Sequence, residues 1–143
     1  MKKVLIINGP NLNLLGKREE DIYGKKTFNE IYNELLEFAK SAYIELTFFQ
    51  SNIEGEIINK IHDSDGKIDF LIINPGALTH YSYSIYDALK SVSFKTIEVH
   101  ISNIFSREDW RSKSVISPAS LGVISGFGER VYKMAIFYIS SLN

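Results

Sequence analysis

The arginines and histidines of this sequence are few, and most of them fall in three short segments. Three of the four arginines and two of the three histidines lie in residues 8–24, 74–80 and 100–111. The side chains concerned are Arg18, His80, His100, Arg107 and Arg111. Arginine binds carboxylates through paired hydrogen bonds, while histidine and asparagine hydrogen-bond to hydroxyls. The pattern indicates a site for an anionic ligand with several hydroxyl groups.

Several catalytic classes are excluded by the residues that these segments lack. The chain has no cysteine, which rules out disulfides, thiolate nucleophiles and cysteine-based zinc sites. The first segment has neither a phosphate-binding Gly-Lys-Ser/Thr sequence nor a GxGxxG pattern. Asn8 and Asn74 stand where a phosphoacceptor module would need acidic residues, and the two histidines lack carboxylates at metal-ligand spacing. Nothing around Lys17 indicates the buried environment of a Schiff-base lysine. Acid–base chemistry by tyrosine, histidine and arginine remains.

The composition is that of an ordinary globular domain. Of 143 residues, 45% are hydrophobic and 23% charged, and the formal net charge is -1. This balance argues against nucleic-acid binding. No apolar run approaches the length of a membrane span, and residues 4–7 are too few for a signal-peptide core. We therefore expect one cytoplasmic domain, residues 1–143, that binds neither nucleic acid nor membranes.

Five segments have the character of β-strands. Residues 4–7 (VLII) and 70–73 (FLII) are continuous apolar runs, typical of parallel strands covered on both faces. In residues 44–48, Ile, Leu and Phe alternate with Glu and Thr, which predicts a half-exposed edge strand. Residues 96–100 and 122–125 supply two further strands.

Four helices are predicted between and after these strands. Thr27 and Glu30 form a capping-box pattern, and Ser51 with Glu54 forms a second one. Residues 85–92 carry the apolar spacing of a third helix. The last helix has an apolar stripe that consists of Val131, Met134, Ala135, Tyr138 and Leu142.

The alternation of strands and helices predicts an α/β fold. A five-stranded doubly wound parallel sheet with helices on both faces most often has the flavodoxin-like order 2-1-3-4-5. Ligands then bind beyond the carboxyl ends of strands 1 and 3, where the winding reverses. The three polar segments follow strands 1, 3 and 4, so this topology brings them together.

Several sequence blocks in register resemble the type II 3-dehydroquinate dehydratases. The first is residues 8–16 (NGPNLNLLG), followed by Arg18-Glu19 and Tyr23-Gly24. The later blocks are residues 74–77, 79–80, 87–89 and 98–104, Arg107, Arg111, residues 126–128 and Tyr132. The resemblance covers nearly the whole chain.

The resemblance implies cofactor-free dehydration of 3-dehydroquinate to 3-dehydroshikimate, in the shikimate pathway, through an enolate. In this family Tyr23 would be the base, and His100 would be the acid that protonates the departing hydroxyl. A tyrosine base must be ionised, which requires cations nearby, and Arg18 and Arg107 are the matching positions. Glu98 points to the same side of strand 4 as His100 and can keep its ring protonated and oriented.

The remaining family positions imply substrate contacts. Asn11 would hold a water or the enolate oxygen. Asn74 and the backbone amides of Ile101 and Ser102 resemble the carboxylate site. The ring hydroxyls would be bound by His80 and Arg111. Asp87 would reach a neighbouring subunit's site, since the family forms trimers assembled into dodecamers.

Other interpretations stay open from the residues themselves. Tyr23 could simply pack ahead of a helix, His100 could be a satisfied strand-end histidine, and Asn11 could be a turn residue. Trp110 and Phe105 are expected to pack under the strand 4 loop or at a subunit contact. A flavodoxin-like nucleotide- or FMN-binding module shares the predicted fold, although Pro10 and Asn11 replace the Ser/Thr and Gly that a flavin phosphate site needs. An inactive assembly subunit is the third alternative.

Overall fold

The two continuous apolar runs form the centre of a parallel sheet in the computed structural model, which describes residues 1–17 and 19–142 and, of Glu20, the backbone. Within these residues five strands pair in the order β2-β1-β3-β4-β5, all parallel. The strands are β1 Lys2–Asn8, β2 Ile44–Gln50, β3 Phe70–Asn74, β4 Lys95–His100 and β5 Gly122–Ser125. The predicted flavodoxin-like topology is confirmed.

Helices cover both faces of this sheet. They are α1 Glu20–Tyr23, α2 Phe28–Ser41, α3 Glu54–Ser64, α4 Tyr83–Lys90 and α5 Arg130–Ser140. Short 3-10 turns occur at Leu12–Leu14, Gly76–His80, Ile104–Ser106, Asp109–Ser112 and Ser117–Ala119. Among the described residues, every helix is too short or too polar to span a lipid bilayer.

The continuous runs are apolar throughout because each strand is buried on both faces. Val4 and Ile6 belong to the core under α2 and α5, whereas Leu5 and Ile7 belong to the core under α3 and α4. Successive side chains of a strand point to opposite faces, so each of these cores receives every second residue. In the edge strand β2, Ile44 and Leu46 are buried while Glu45 and Thr47 are exposed, as the alternation predicts.

At one of the two predicted capping boxes, the N-cap hydroxyl forms its hydrogen bond at the helix start. The Thr27 hydroxyl accepts a hydrogen bond from the Glu30 amide at 3.4 Å, at the start of α2. The Ser51 prediction is wrong, because the chain is still extended at Ile53 and α3 begins only at Glu54. The Ser51 hydroxyl instead accepts from the Ile53 amide at 2.9 Å.

The predicted apolar stripe of α5 is only partly correct. Val131 and Ala135 are buried, but Met134 and Tyr138 are 42% and 43% exposed. The buried stripe is Val131, Tyr132, Ala135, Ile136 and Ile139. Eight of the eleven positions of α5 are apolar, so hydrophobic periodicity does not single out one face. This orientation of α5 places Tyr132 beneath the carboxyl ends of β1 and β3.

Candidate active site

The loops after β1 and β3 lie against each other at the point where the winding of the sheet reverses. A Cβ atom on Gly9 would stand 2.4 Å from the Pro75 carbonyl oxygen, so only glycine fits there. Gly76 has a φ of +61°, and a Cβ atom on it would stand 3.0 Å from the Pro10 carbonyl oxygen. These contacts fix both loops at the position where open α/β sheets bind ligands.

One pocket at this edge collects most of the predicted site residues. Of the predicted residues that the structure describes, those lining the pocket are Asn11, Tyr23, Asn74, His80, His100, Ile101, Ser102, Arg107 and Arg111. Pro10, Leu12, Gly76, Ala77 and Ile104 complete the lining. The pocket therefore receives residues from the carboxyl ends of β1, β3 and β4, together with Tyr23 from α1.

Tyr23 and Arg107 form a direct pair in this pocket. Arg107 Nη1 donates to the Tyr23 hydroxyl at 2.6 Å and to the Ser102 hydroxyl at 3.2 Å. The guanidinium carbon lies 5.3 Å from the centre of the Tyr23 ring, and Glu19 forms a 3.6 Å ion pair with Arg107. The Arg107 side chain is only 11% exposed, so water screens its charge little. A cation is thus held against the phenolic oxygen.

Beneath the pocket, His100 is paired with a fully buried carboxylate. His100 Nε2 lies 2.5 Å from Glu98 Oε2, and the two side chains are 6% and 0% exposed. The pairing confirms that the two residues point to the same side of β4. Because an ionised carboxylate can only accept, Nε2 carries the hydrogen of this bond.

Hydroxyl groups of nearby residues contact both carboxylate oxygens of Glu98. Thr79 donates to Oε2 at 2.7 Å, Ser117 donates to Oε1 at 2.8 Å, and Ser114 lies within 3.0 Å of both oxygens. Burial alone would raise the pKa of Glu98, but the hydrogen bonds from His100, Thr79 and Ser117 outweigh it and lower the pKa below its ordinary value. The carboxylate therefore stays charged beside His100.

His80 lies at the pocket wall with a defined tautomer. Its Nδ1 lies 2.7 Å from the Lys113 carbonyl oxygen, which can only accept, so Nδ1 carries a hydrogen. Burial lowers the pKa of His80, and the positive charges of His100 and Arg111 act in the same direction. The neutral ring then presents Nε2 as an acceptor for a ligand hydroxyl.

Trp110 contacts both neighbouring polar groups of this wall. Its ring stands edge-on to His80 with centroids 5.2 Å apart, and the Arg111 guanidinium lies 4.1 Å from its centre. Glu108 binds Arg111 from the other side at 2.8 Å. The prediction that Trp110 and Phe105 pack under the loop after β4 is wrong, because these residues are 53% and 68% exposed. A subunit contact for these two rings stays a prediction.

Two asparagines line the pocket in well-defined conformations. Asn11 is in the left-handed region at φ 70°, which asparagine tolerates better than most residues, and its amide donates to Asn52 Oδ1 at 3.0 Å. The turn interpretation of Asn11 is therefore compatible with a site role. Asn74 is 3% exposed and donates through Nδ2 to the Tyr132 hydroxyl at 3.0 Å.

Two of the predicted residues that the structure describes do not line the pocket: Glu98, which is bound to His100, and Asp87. Asp87 lies exposed on α4. Arg18 lies outside the described residues. Within the described part of the chain, no group of three histidine, aspartate or glutamate side chains could hold a metal ion.

The sequence does not predict the hydroxyl groups around Glu98 or the hydrogen bond between Tyr132 and Asn74. Ser114 and Ser117 belong to an irregular segment without periodicity, and serine is common in loops. The one signal in the sequence is the position of Glu98 between Ile97 and Val99 in a predicted strand, since a buried carboxylate requires donors.

The chain is similar to known proteins over nearly its whole length. The family described as Dehydroquinase class II matches residues 2–140. A 3-dehydroquinate dehydratase of Caldicellulosiruptor saccharolyticus is 54% identical over 143 residues, covering 99% of both chains. One from Bacillus subtilis is 47% identical over 141 residues, covering 99% of this chain and 95% of that protein. The crystal structure of a type II dehydroquinase from Butyrivibrio crossotus superposes with a TM-score of 0.95 at 51% identity, covering 98% of both chains.

Proposed function

The chain belongs to the Dehydroquinase class II family, and we propose that it dehydrates 3-dehydroquinate to 3-dehydroshikimate without a cofactor. The observation that carries this proposal is the presence of two activated groups in one pocket, Tyr23 against Arg107 and His100 against Glu98. The reaction needs a base that removes a proton from carbon and an acid that protonates the leaving hydroxyl. Each pair suits one of these tasks.

Tyr23 is the proposed base. As the phenolate, its oxygen takes the proton from the carbon beside the ketone, and the C–H electrons form the enolate. The hydrogen bond from Arg107 stabilises the phenolate, since a charge-assisted bond is about twice as strong as a neutral one. Arg18 is the second family position with this role.

His100 is the proposed acid. The enolate re-forms the ketone, a carbon–carbon double bond forms, and the bond to the hydroxyl breaks. His100 donates a proton to this hydroxyl, which leaves as water. Because Nε2 is bound to Glu98, the nitrogen that exchanges the proton is Nδ1. The charged Glu98 stabilises the imidazolium that the step needs.

The other lining residues suit the substrate's remaining groups. We assign the carboxylate to Asn74 and the backbone amides of Ile101 and Ser102, at the carboxyl ends of β3 and β4. His80 and Arg111 then face the ring hydroxyls. Asn11 faces the enolate oxygen or a water bound to it.

Asp87 enters the proposal through a second subunit. It is exposed on α4 and stands away from the pocket of its own chain. We propose that it reaches the pocket of a neighbouring copy in a homo-oligomer, a dodecamer built from trimers, in the cytoplasm.

The direct test is conversion of 3-dehydroquinate by the purified protein, which is monitored through the enone absorbance of 3-dehydroshikimate. We expect turnover that persists after dialysis against a chelator. Absence of product would overturn the proposal. Yellow protein that carries FMN and forms no product would instead favour the flavodoxin-like binding module.

A further inference from the structure

A buried chain of hydrogen bonds connects α5 to the carboxyl ends of β1 and β3. Tyr132 is 1% exposed, and its hydroxyl accepts from Asn74 Nδ2 at 3.0 Å and donates to Asn8 Oδ1 at 2.5 Å. Asn8 and Asn74 are register partners in the β1–β3 pair and are 0% and 3% exposed. One phenol on α5 therefore bridges the two strand ends where the winding reverses.

The direction of each bond in this chain is determined by its neighbours. Asn8 Nδ2 donates to the Tyr32 hydroxyl at 3.2 Å, which leaves Asn8 Oδ1 as the atom that faces Tyr132. A hydroxyl has one hydrogen, so Tyr132, which donates it to Asn8, must accept from Asn74. Burial raises the pKa of Tyr132, so this hydroxyl keeps its hydrogen at physiological pH.

The same logic sets the orientation of the Asn74 amide. The Gly76 amide donates to Asn74 Oδ1 at 3.2 Å, and Nδ2 faces Tyr132. Nδ2 has two hydrogens, of which Tyr132 accepts one. The second remains for a ligand in the pocket that Asn74 lines. A flipped amide would instead present an oxygen, which repels a carboxylate.

We propose that Tyr132 is a positioning residue that holds the Asn74 amide in the orientation that binds the substrate carboxylate. This inference rests on the proposed function, because it takes Asn74 as part of the carboxylate site. Tyr132 does not line the pocket and acts only through Asn74.

The test compares two ligands that differ in one charge, quinate and its methyl ester, as competitive inhibitors of the dehydration reaction. In the full-length Tyr132→Phe variant we expect quinate to bind about tenfold more weakly, because the change costs about one hydrogen bond to a charged group. Binding of the methyl ester should stay unchanged. KM should rise by a similar factor while kcat changes little. Tyr138→Phe, an exposed tyrosine of the same helix, is the matched control.

A double-mutant cycle separates positioning from a general packing defect. In an Asn74→Ala background, Tyr132→Phe should cause no further loss of quinate affinity. Additive losses, or equal losses for both ligands, would overturn the inference. If Tyr132→Phe does not fold, Asn8→Leu replaces it in the test, because this variant keeps Tyr132 and removes the acceptor of its hydroxyl. We expect the same loss of affinity for quinate but not for its methyl ester. An unchanged affinity for quinate would contradict the inference. Failure of the wild type to form 3-dehydroshikimate would overturn the proposed function itself, and is a separate outcome.

Discussion

Arg107 Nη1 lies 2.6 Å from the Tyr23 hydroxyl, although the two residues are 84 positions apart in the sequence. The contact joins the segment after β1 to the segment after β4 across the pocket. The guanidinium donates this hydrogen bond to the oxygen of the residue that we propose as the base.

Removing the Arg107 cation should weaken Tyr23 as a base. For Arg107→Gln we expect kcat to fall about 10- to 100-fold, the range for the loss of a hydrogen bond to a charged group. Steady-state kinetics at several pH values measure this effect. Arg130→Gln removes an arginine that is exposed on α5 and should leave kcat unchanged. A similar kcat for Arg107→Gln and the wild type would contradict a role for this contact.

Glu98 should contribute to stability in a pH-dependent way. Its pKa is lowered in the folded protein, so its contribution is fully present above the unfolded value of about 4.3 and is lost as pH falls through the lower folded pKa. Glu98→Gln breaks a buried charged pair and should lower the free energy of unfolding near pH 7 by about 3–5 kcal/mol.

Urea unfolding from pH 7 to pH 3 checks this expectation. The difference between the wild type and Glu98→Gln should shrink as the pH falls below about 4. Glu45→Gln, at an exposed position of β2, should show little difference at any pH. A difference that grows on acidification would mean that the folded pKa of Glu98 is raised.

His80 can be titrated through the single tryptophan of the chain. Trp110 lies 5.2 Å from the His80 ring, and a protonated imidazole quenches indole fluorescence. Burial lowers the pKa of His80, so quenching should set in with a midpoint below the ordinary value of about 6.5. The transition should vanish in His80→Gln. A midpoint above about 6.5 would contradict the neutral acceptor assigned to this ring.

A shared active site can be tested by mixing inactive subunits. If Asp87 reaches a neighbour's pocket, co-refolded Asp87→Asn and Tyr23→Phe chains should recover activity. Random assembly of equal amounts should restore about a quarter of the sites, because each intact site needs one chain of each kind. Each variant refolded by itself is the control. Recovery no greater than the average of the two controls would place Asp87 outside the neighbour's site.

The sheet could be predicted from the sequence because its strands carry an unambiguous pattern. Residues 4–7 and 70–73 are apolar on both faces, and both faces are covered by helices. The strand order then fixed which segments meet, so His100 and Asn74 could be placed in one pocket before any contact was known. Strand alternation also placed Glu98 beside His100.

Details that depend on three-dimensional packing could not be predicted. The hydroxyls of Ser114 and Ser117 reach Glu98 from a loop, and loop paths leave no periodic signal. The buried face of α5 is ambiguous in the sequence because eight of its eleven positions are apolar, so the sequence singles out Tyr132 only as part of a matching block. Asp87 lies exposed on α4, and the pocket that we propose for it belongs to another chain.

The Tyr23→Phe variant tests whether Tyr23 is the base that removes the proton. This change deletes one oxygen and keeps the ring that packs against the core beside α2. Turnover of 3-dehydroquinate by Tyr23→Phe should be measured beside the wild type, with circular dichroism and sizing to show that fold and assembly are intact. We expect nearly complete loss of 3-dehydroshikimate formation in a folded protein. Substantial turnover by the folded variant would contradict Tyr23 as the base.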